Sequence, residues 1–206
     1  MQNKTIIVYG ADSDMGKAIC DKFTRKEWNV IGVGNKPTDI DFNMYYQCDI
    51  SSGEQLMDLK NSMDDESVSF DAMAIITNNH KNIGFENVNS DEWNNILSAS
   101  LYGTANCIRM FAPHLVEKGS GKILIITPDY KDAEGDNILN AAAGGTLHGF
   151  SKSLGVELAE KNVLVNTLWP AYPLDNEAIA DMTHYLSEAD TYTTAQVISL
   201  NGKSEI

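Results

Sequence analysis

The chain is poor in positive charge: 15 Lys and Arg stand against 29 Asp and Glu, a formal net charge of -14 over 206 residues. Those few cations are scattered rather than gathered on one segment, which excludes nucleic-acid backbones and anionic membranes as expected partners. The acidity itself needs no partner, because it also serves solubility. Cysteine is scarce too. Cys20, Cys48 and Cys107 lie far apart with no C-x-x-C pair, so neither a disulfide nor a zinc site is expected, and buried thiols in a reducing compartment are the reading. His80, His114, His148 and His184 show no ligand spacing, so no metal is expected. No apolar run approaches the length of a membrane span. The opening "MQNKTIIVYG" enters a strand-like run at once, leaving no room for a charged and then apolar leader. A cytoplasmic protein is the expectation.

What the chain does have is enough for a core: hydrophobic residues make up 43% and charged residues 21%, the balance of a globular protein rather than a disordered one. A length of 206 residues suits one α/β domain spanning 1–206, with no linker, repeat or low-complexity tract dividing it. Short apolar runs rich in β-branched residues recur at 5–9 ("TIIVY"), 29–34 ("NVIGVG"), 69–76 ("SFDAMAII"), 122–127 ("KILIIT"), 163–168 ("VLVNTL") and 196–200 ("QVISL"). Runs of that length read as buried strands. Helical spacing fills the gaps between them. Met15, Ala18, Ile19, Lys22 and Phe23 recur at one-turn offsets within 15–26, and Ile96, Leu97, Leu101, Ala105 and Ile108 within 91–112. Strand and helix in alternation give a doubly wound parallel sheet of the Rossmann-like class, with ligands expected beyond the C-terminal ends of its strands.

The first such end carries "YGADSDMGKAI". A glycine turn that opens a helix offers backbone N–H groups and a helix N-terminus to a phosphate. This stretch resembles the T-G-x-x-x-G-x-G turn of the short-chain dehydrogenase/reductase family, with Gly10 and Gly16 matching and Asp14 in place of the middle glycine. The likeness continues in order along the chain. "CDIS" puts Asp49 where the family has its adenine-contacting acid, and "TNNHKN" matches its N-N-A-G motif at Asn78 and Asn79. "DEWNNILSASLYGT" is similar to its fourth helix, "NAAAGGTLHGFSKSLGVELA" to its fifth, and "VLVNTLWPAY" and "TTAQVISLNG" to its last two strands.

The family's chemistry uses a tyrosine that exchanges a proton with the substrate oxygen and a lysine four residues on that lowers the phenol's pKa and holds the nicotinamide ribose. One helical turn puts both on one face. Aligning on "GFSKSL" places that tyrosine at Asn140 and that lysine at Gly144, the family's asparagine at Ser100, and its serine at Thr127, or at Pro128 if the register slips by one. An amide does not release a proton at neutral pH, and glycine carries no charge. Tyr130 and Lys131 follow the fifth strand as sequence neighbours, a spacing that does not put them on one face. Tyr102 lies near the relay position, where a core or interface role is the commoner one.

For a dinucleotide, the resemblance points to Gly10, Asp14, Met15, Gly16, Asn35, Lys36, Asp49 and Asn78. Asp14 counts against tight binding, since two like charges about 4 Å apart repel by roughly 4 kcal/mol at an effective dielectric of about 20. Alternatively Asp14 caps the helix at 15–26. After the second strand, "GNKP" has Lys36 and no carboxylate. That favours a 2′-phosphate, hence NADP, unless Lys36 is only a solvated turn residue. The expected cofactor is none, or NADP held weakly. "WPAYPLDNEAIADM" runs directly into the last helix, so the segment that covers substrate in the family is shortened.

The small-residue run "AAAGG" at 141–145, with Gly149 and Gly155 beyond it, suits close approach of another backbone, because each interior glycine costs a helix on the order of 1 kcal/mol. In the family the fourth and fifth helices, and separately the last strand and helix, form subunit interfaces. The expectation is therefore a non-catalytic family member in a homo-oligomer, or in a hetero-oligomer with an active relative. The alternatives are an atypical NADP-dependent reductase with a rearranged site, and a nucleotide-sensing module.

Overall fold

The computed structural model describes residues 3–37, 43–77, 83–127, 138–171, 175–188 and 192–201. The assignments to Asn78, Asn79, His80, Pro128, Tyr130 and Lys131 lie outside these residues. In chain order the elements are β1 (Thr5–Tyr9), α1 (Asp14–Arg25), β2 (Asn29–Gly34), β3 (Met44–Gln47), α2 (Gly53–Asp65), β4 (Ala72–Ile76), α3 (Ser90–Leu97), α4 (Gly103–Lys118), β5 (Gly121–Ile126), α5 (Ile138–Ala159), β6 (Val163–Ala171), α6 (Asn176–Glu188) and β7 (Gln196–Asn201). The seven strands form one parallel sheet in the order β3-β2-β1-β4-β5-β6-β7. This is a single-domain Rossmann-like α/β fold, and the strand order reverses between β1 and β4 to open a crevice there.

Side chains alternate across the sheet with the period of two that a strand imposes. From β1, Ile7 and Tyr9 enter one core layer with residues of α2, α4 and α5, while Ile6 and Val8 enter the other with residues of α1 and α6. Fully burying each such side chain contributes roughly 1.5–3 kcal/mol, so the six apolar runs suffice to commit the chain to this sheet. Phe23 of α1 meets Trp28 edge-on with ring centroids 5.0 Å apart, and His184 of α6 at 5.2 Å.

The structure departs from the sequence reading in four places. β3 joins the sheet as an edge strand whose residues are only partly buried, so it carries no apolar run to betray it. β4 starts at Ala72 rather than at Ser69, because Asp71 is engaged as a clamp: its carboxylate accepts from Thr5 N at 2.8 Å and from Lys118 Nζ at 2.6 Å. The helix expected over 91–112 is interrupted by a π-helical turn at Ser98–Tyr102 that separates α3 from α4. A wider turn of this kind rotates the following face, and it leaves Tyr102 exposed. Finally, the close approach expected at Gly155 occurs within the chain: a Cβ there would stand 2.8 Å from the backbone of Ala195, just before β7.

Candidate nucleotide cleft and the four reaction positions

The chain ends of β1, β2, β3 and β4 meet around a cleft of about 440 Å³ at the strand-order reversal. Gly10, Asp12 and Ser13 line it from the turn after β1, Asn35 and Lys36 from the turn after β2, and Asp49 and Ser51 from the turn after β3. Thr77 closes it after β4, and Ala99 of the π turn forms its far wall.

The glycine turn is shaped by two contacts that exclude side chains. Gly10 has φ +83°, and a Cβ on it would sit 3.2 Å from both Cβ and O of Ile76. A Cβ on Gly16 would lie 2.7 Å from Cα of Ala11, so the first turn of α1 rests directly on the loop backbone. The loop's N–H groups are engaged partly by β2 and partly by the loop itself. Gly10 N and Ala11 N both donate to Val33 O at 2.8 and 3.0 Å, Ser13 N donates to Gly10 O at 3.1 Å, and Lys17 N to Ser13 O at 2.8 Å. Ser13 Oγ accepts from Gly16 N at 3.0 Å and donates to Gly10 O at 2.7 Å. Ser13 is therefore the N-cap of α1, which corrects the assignment of the cap to Asp14. The helix starts one residue earlier than its apolar periodicity indicates, so the short serine hydroxyl takes the capping position. Asp14 is an exposed residue of the first turn and is not among the residues lining this cleft. First-turn N–H groups have no partner within their helix, so the N-terminus of α1 is the end of this loop with donors to offer an anion.

Asp49 is folded into the turn that starts α2. Its Oδ1 accepts from Ser51 N at 2.9 Å and from Ser51 Oγ at 2.7 Å, and its own N–H donates to Gln55 Oε1 at 2.8 Å. Asn35 and Lys36 are exposed at the rim. Sequence reasoning missed Asp12, whose Oδ2 accepts from Lys36 N at 3.2 Å. It falls on a variable position of the glycine turn, and the one signal available was an acid inside a phosphate-cradling motif.

Cys48 also lines the cleft. Burial pushes its thiol up to about 11, with Asp49 adding to the shift, so it is no thiolate nucleophile at neutral pH. Cys20 and Cys107 are buried and raised further by desolvation. All three cysteines are free buried thiols, as expected.

The four positions that the resemblance assigns to the reaction cluster around α5. Ser100, Thr127 and Asn140 are each no more than 2% exposed, and Gly144 is buried one turn beyond Asn140. Ser100 Oγ donates back to Ile96 O within its own helix. Thr127 Oγ1 donates to Leu168 O at 3.3 Å and stands 3.5 Å from His148 Nε2. His148 is half-buried against Trp169, ring centroids 5.6 Å apart, and burial, reinforced by Lys152, lowers its pKa. His114 stacks on Phe70 at 4.4 Å, and its Nε2 accepts from Phe70 N at 3.3 Å. His114 and His184 are thus packing residues. Among the described residues no group of three His, Cys, Asp or Glu could share a metal ion, and no helix is long and apolar enough to cross a membrane. Residues 172–175 connect β6, ending at Ala171, to α6, starting at Asn176, at the place where the resemblance expects a covering segment.

Comparison with known proteins places these features. The family model described as short chain dehydrogenase matches residues 4–184. The 3-oxoacyl-acyl-carrier-protein reductase FabG of Vibrio cholerae is 27% identical, over 96% of this chain and 83% of its own. Carbonyl reductase family member 4 of Xenopus laevis is 24% identical, over 90% of this chain and 80% of its own. A short chain dehydrogenase from Leptospira borgpetersenii with bound NAD+ superposes with a TM-score of 0.88 at 16% identity, covering 97% of this chain and 91% of that one. ElxO with NADP bound gives 0.86 at 17% identity, covering 98% of both.

Proposed function

The chain belongs to the short-chain dehydrogenase family, and within it we propose a non-catalytic member: a subunit that keeps the family's nucleotide cleft and packing faces but has no group to move a proton at a substrate oxygen. One observation carries the reading. Asn140 and Gly144, one turn apart and buried on α5, stand where a phenol and an ammonium would have to face the reacting centre. Neither side chain can exchange a proton near neutral pH. The two remaining hydroxyls do not replace them, since Ser100 is bonded to Ile96 O and Thr127 to Leu168 O.

The cleft fits the nucleotide part of a nicotinamide dinucleotide, because the turn at Gly10 and Gly16 has no room for a Cβ and leads into the N-terminus of α1. A bound nicotinamide would supply hydride chemistry. Gly144 cannot hold its ribose as a lysine would, so binding is expected to be weak. The fold's helical faces support assembly: Tyr102 and Val156 are large exposed side chains on the α4 and α5 side, and a Cβ on Gly145 or Gly149 would meet nothing within 4 Å. The partner is a second copy of this chain or an active relative.

A second reading, an atypical NADP-dependent reductase, draws on the contact of Thr127 with His148, an imidazole whose pKa is lowered by burial, so that its neutral form is favoured as a proton acceptor. Native mass spectrometry of the untagged protein from its own cells separates the two. A mixed oligomer whose nucleotide is counted only on a longer relative supports the non-catalytic subunit. A pure oligomer with one dinucleotide per chain, together with turnover of a carbonyl substrate, overturns it.

A further inference from the structure

We propose that Asp12 is the specificity residue of the nucleotide cleft, accepting hydrogen bonds from a ribose vicinal diol and rejecting a phosphate on that ribose, so that the cleft favours NAD over NADP. The inference rests on reading the cleft as a dinucleotide site. In open α/β sheets a carboxylate just after the second strand hydrogen-bonds the ribose 2′-OH. Here β2 ends in Gly34 and continues as Asn35 and Lys36, so by sequence that carboxylate is missing.

The structure supplies it from another loop. Asp12 lines the cleft and is tied to the end of β2 by the hydrogen bond from Lys36 N to its Oδ2 at 3.2 Å. A Cβ built on Gly34 would fall 2.6 Å from Asp12 Oδ1 and 2.7 Å from its Cγ. The carboxyl group of Asp12 thus occupies the room that a side chain at position 34 would take, and Gly34 must be glycine for it to be there. Tyr45 of β3 completes the wall: its hydroxyl donates to Lys36 O and lies 2.6 Å from the same Cβ position. Both backbone groups of Lys36 are consumed in fixing this corner, while its side chain is exposed.

Charge points the same way. Among the described residues, the acidic and basic side chains lining the cleft are two carboxylates, Asp12 and Asp49, against one ammonium, Lys36. Asp49 already has Oδ1 engaged by Ser51. Asp12 keeps lone pairs for hydroxyl donors, since a carboxylate has about four acceptor sites. A solvated lysine at the rim attracts a phosphate weakly, whereas a carboxylate fixed in a partly enclosed corner repels it at short range.

The test is calorimetric titration of the full-length protein with NADH and with NADPH, which reads binding without any reaction. NADH is expected to bind at least about tenfold more tightly, a difference of about 1.4 kcal/mol. In Asp12→Asn and Asp12→Ser the two affinities should converge to within about threefold, mainly through a gain for NADPH. Should either variant fold poorly, the wild-type protein still decides, because raising the salt should narrow the ratio by screening the repulsion. Equal binding, tighter binding of NADPH, or a preference for NADPH that disappears in Lys36→Ala gives the choice to Lys36 and overturns the proposal. Heat from neither ligand removes the dinucleotide reading itself, and the proposal with it.

Discussion

A Cβ placed on Gly16 would overlap the carbonyl oxygen of Gly10 and stand 2.9 Å from the carbonyl carbon. No real Cβ contact is so short, so Gly16→Ala must push α1 off the turn that holds the cleft. The obstruction is backbone, which cannot swing aside as a side chain can. Overpacking of this kind costs about 1–3 kcal/mol, and the upper end is expected. The check is a lower urea midpoint with an unchanged slope.

The glycines of α5 behave differently. Gly145 and Gly149 meet no neighbouring atom within 4 Å, so Gly145→Ala and Gly149→Ala should each raise the stability of the isolated chain by about 0.5–1 kcal/mol through helix propensity. If this face packs against another subunit, Gly149→Phe leaves secondary structure intact by circular dichroism and lowers the particle mass measured by light scattering. An unchanged mass would move the interface elsewhere.

Most of this fold is written in six apolar runs, because a strand buried on both faces has to be apolar throughout its length. What the runs miss has physical causes. β3 has a single partner strand and partly solvated side chains, so its Met-Tyr-Tyr-Gln reads as nothing in particular. The π turn at 98–102 preserves an apolar spacing close enough to helical that one helix is the natural reading of 91–112. At the site, Gly10 and Gly16 are legible because the turn leaves no room for a Cβ at either, whereas Asp49 is pointed to only by the resemblance. Asp12 is not legible, because its importance arises from Gly34 and Lys36 on a different loop, a proximity only the folded sheet creates. The Ser13 cap is hidden by Asp14, which has equal capping chemistry one residue on.

Stability should fall as the solution turns mildly acidic. Burial is the leading cause that lowers His114, His148 and His184 below the ordinary histidine value of 6.5. Between the folded and unfolded pKa the unfolded chain binds more protons, so stability rises with pH across that window and is lost as pH falls below about 6.5. His148→Gln should flatten part of that slope while preserving the packing against Trp169. Thermal midpoints collected between about pH 5 and pH 8 for both proteins, with about a unit between points, measure it.

The proposed loss of the reaction groups is tested by substituting the two positions that the resemblance assigns to them. Asn140→Tyr with Gly144→Lys puts a phenol and an ammonium one turn apart, the spacing that places both on one helical face. Both positions are buried, so the two large side chains enter a packed interior, and a loss of about 1–3 kcal/mol is expected. Turnover should stay absent. Ser100 remains bonded to Ile96 O, and the short connection between β6 and α6 leaves little chain to shield a reacting centre from water. The assay is loss of nicotinamide absorbance with a panel of aldehydes and ketones, beside a melting curve of the same variant. A folded variant without turnover agrees with a site dismantled in several parts. A folded variant that reduces any of the panel shows that only two side chains separate this chain from its active relatives.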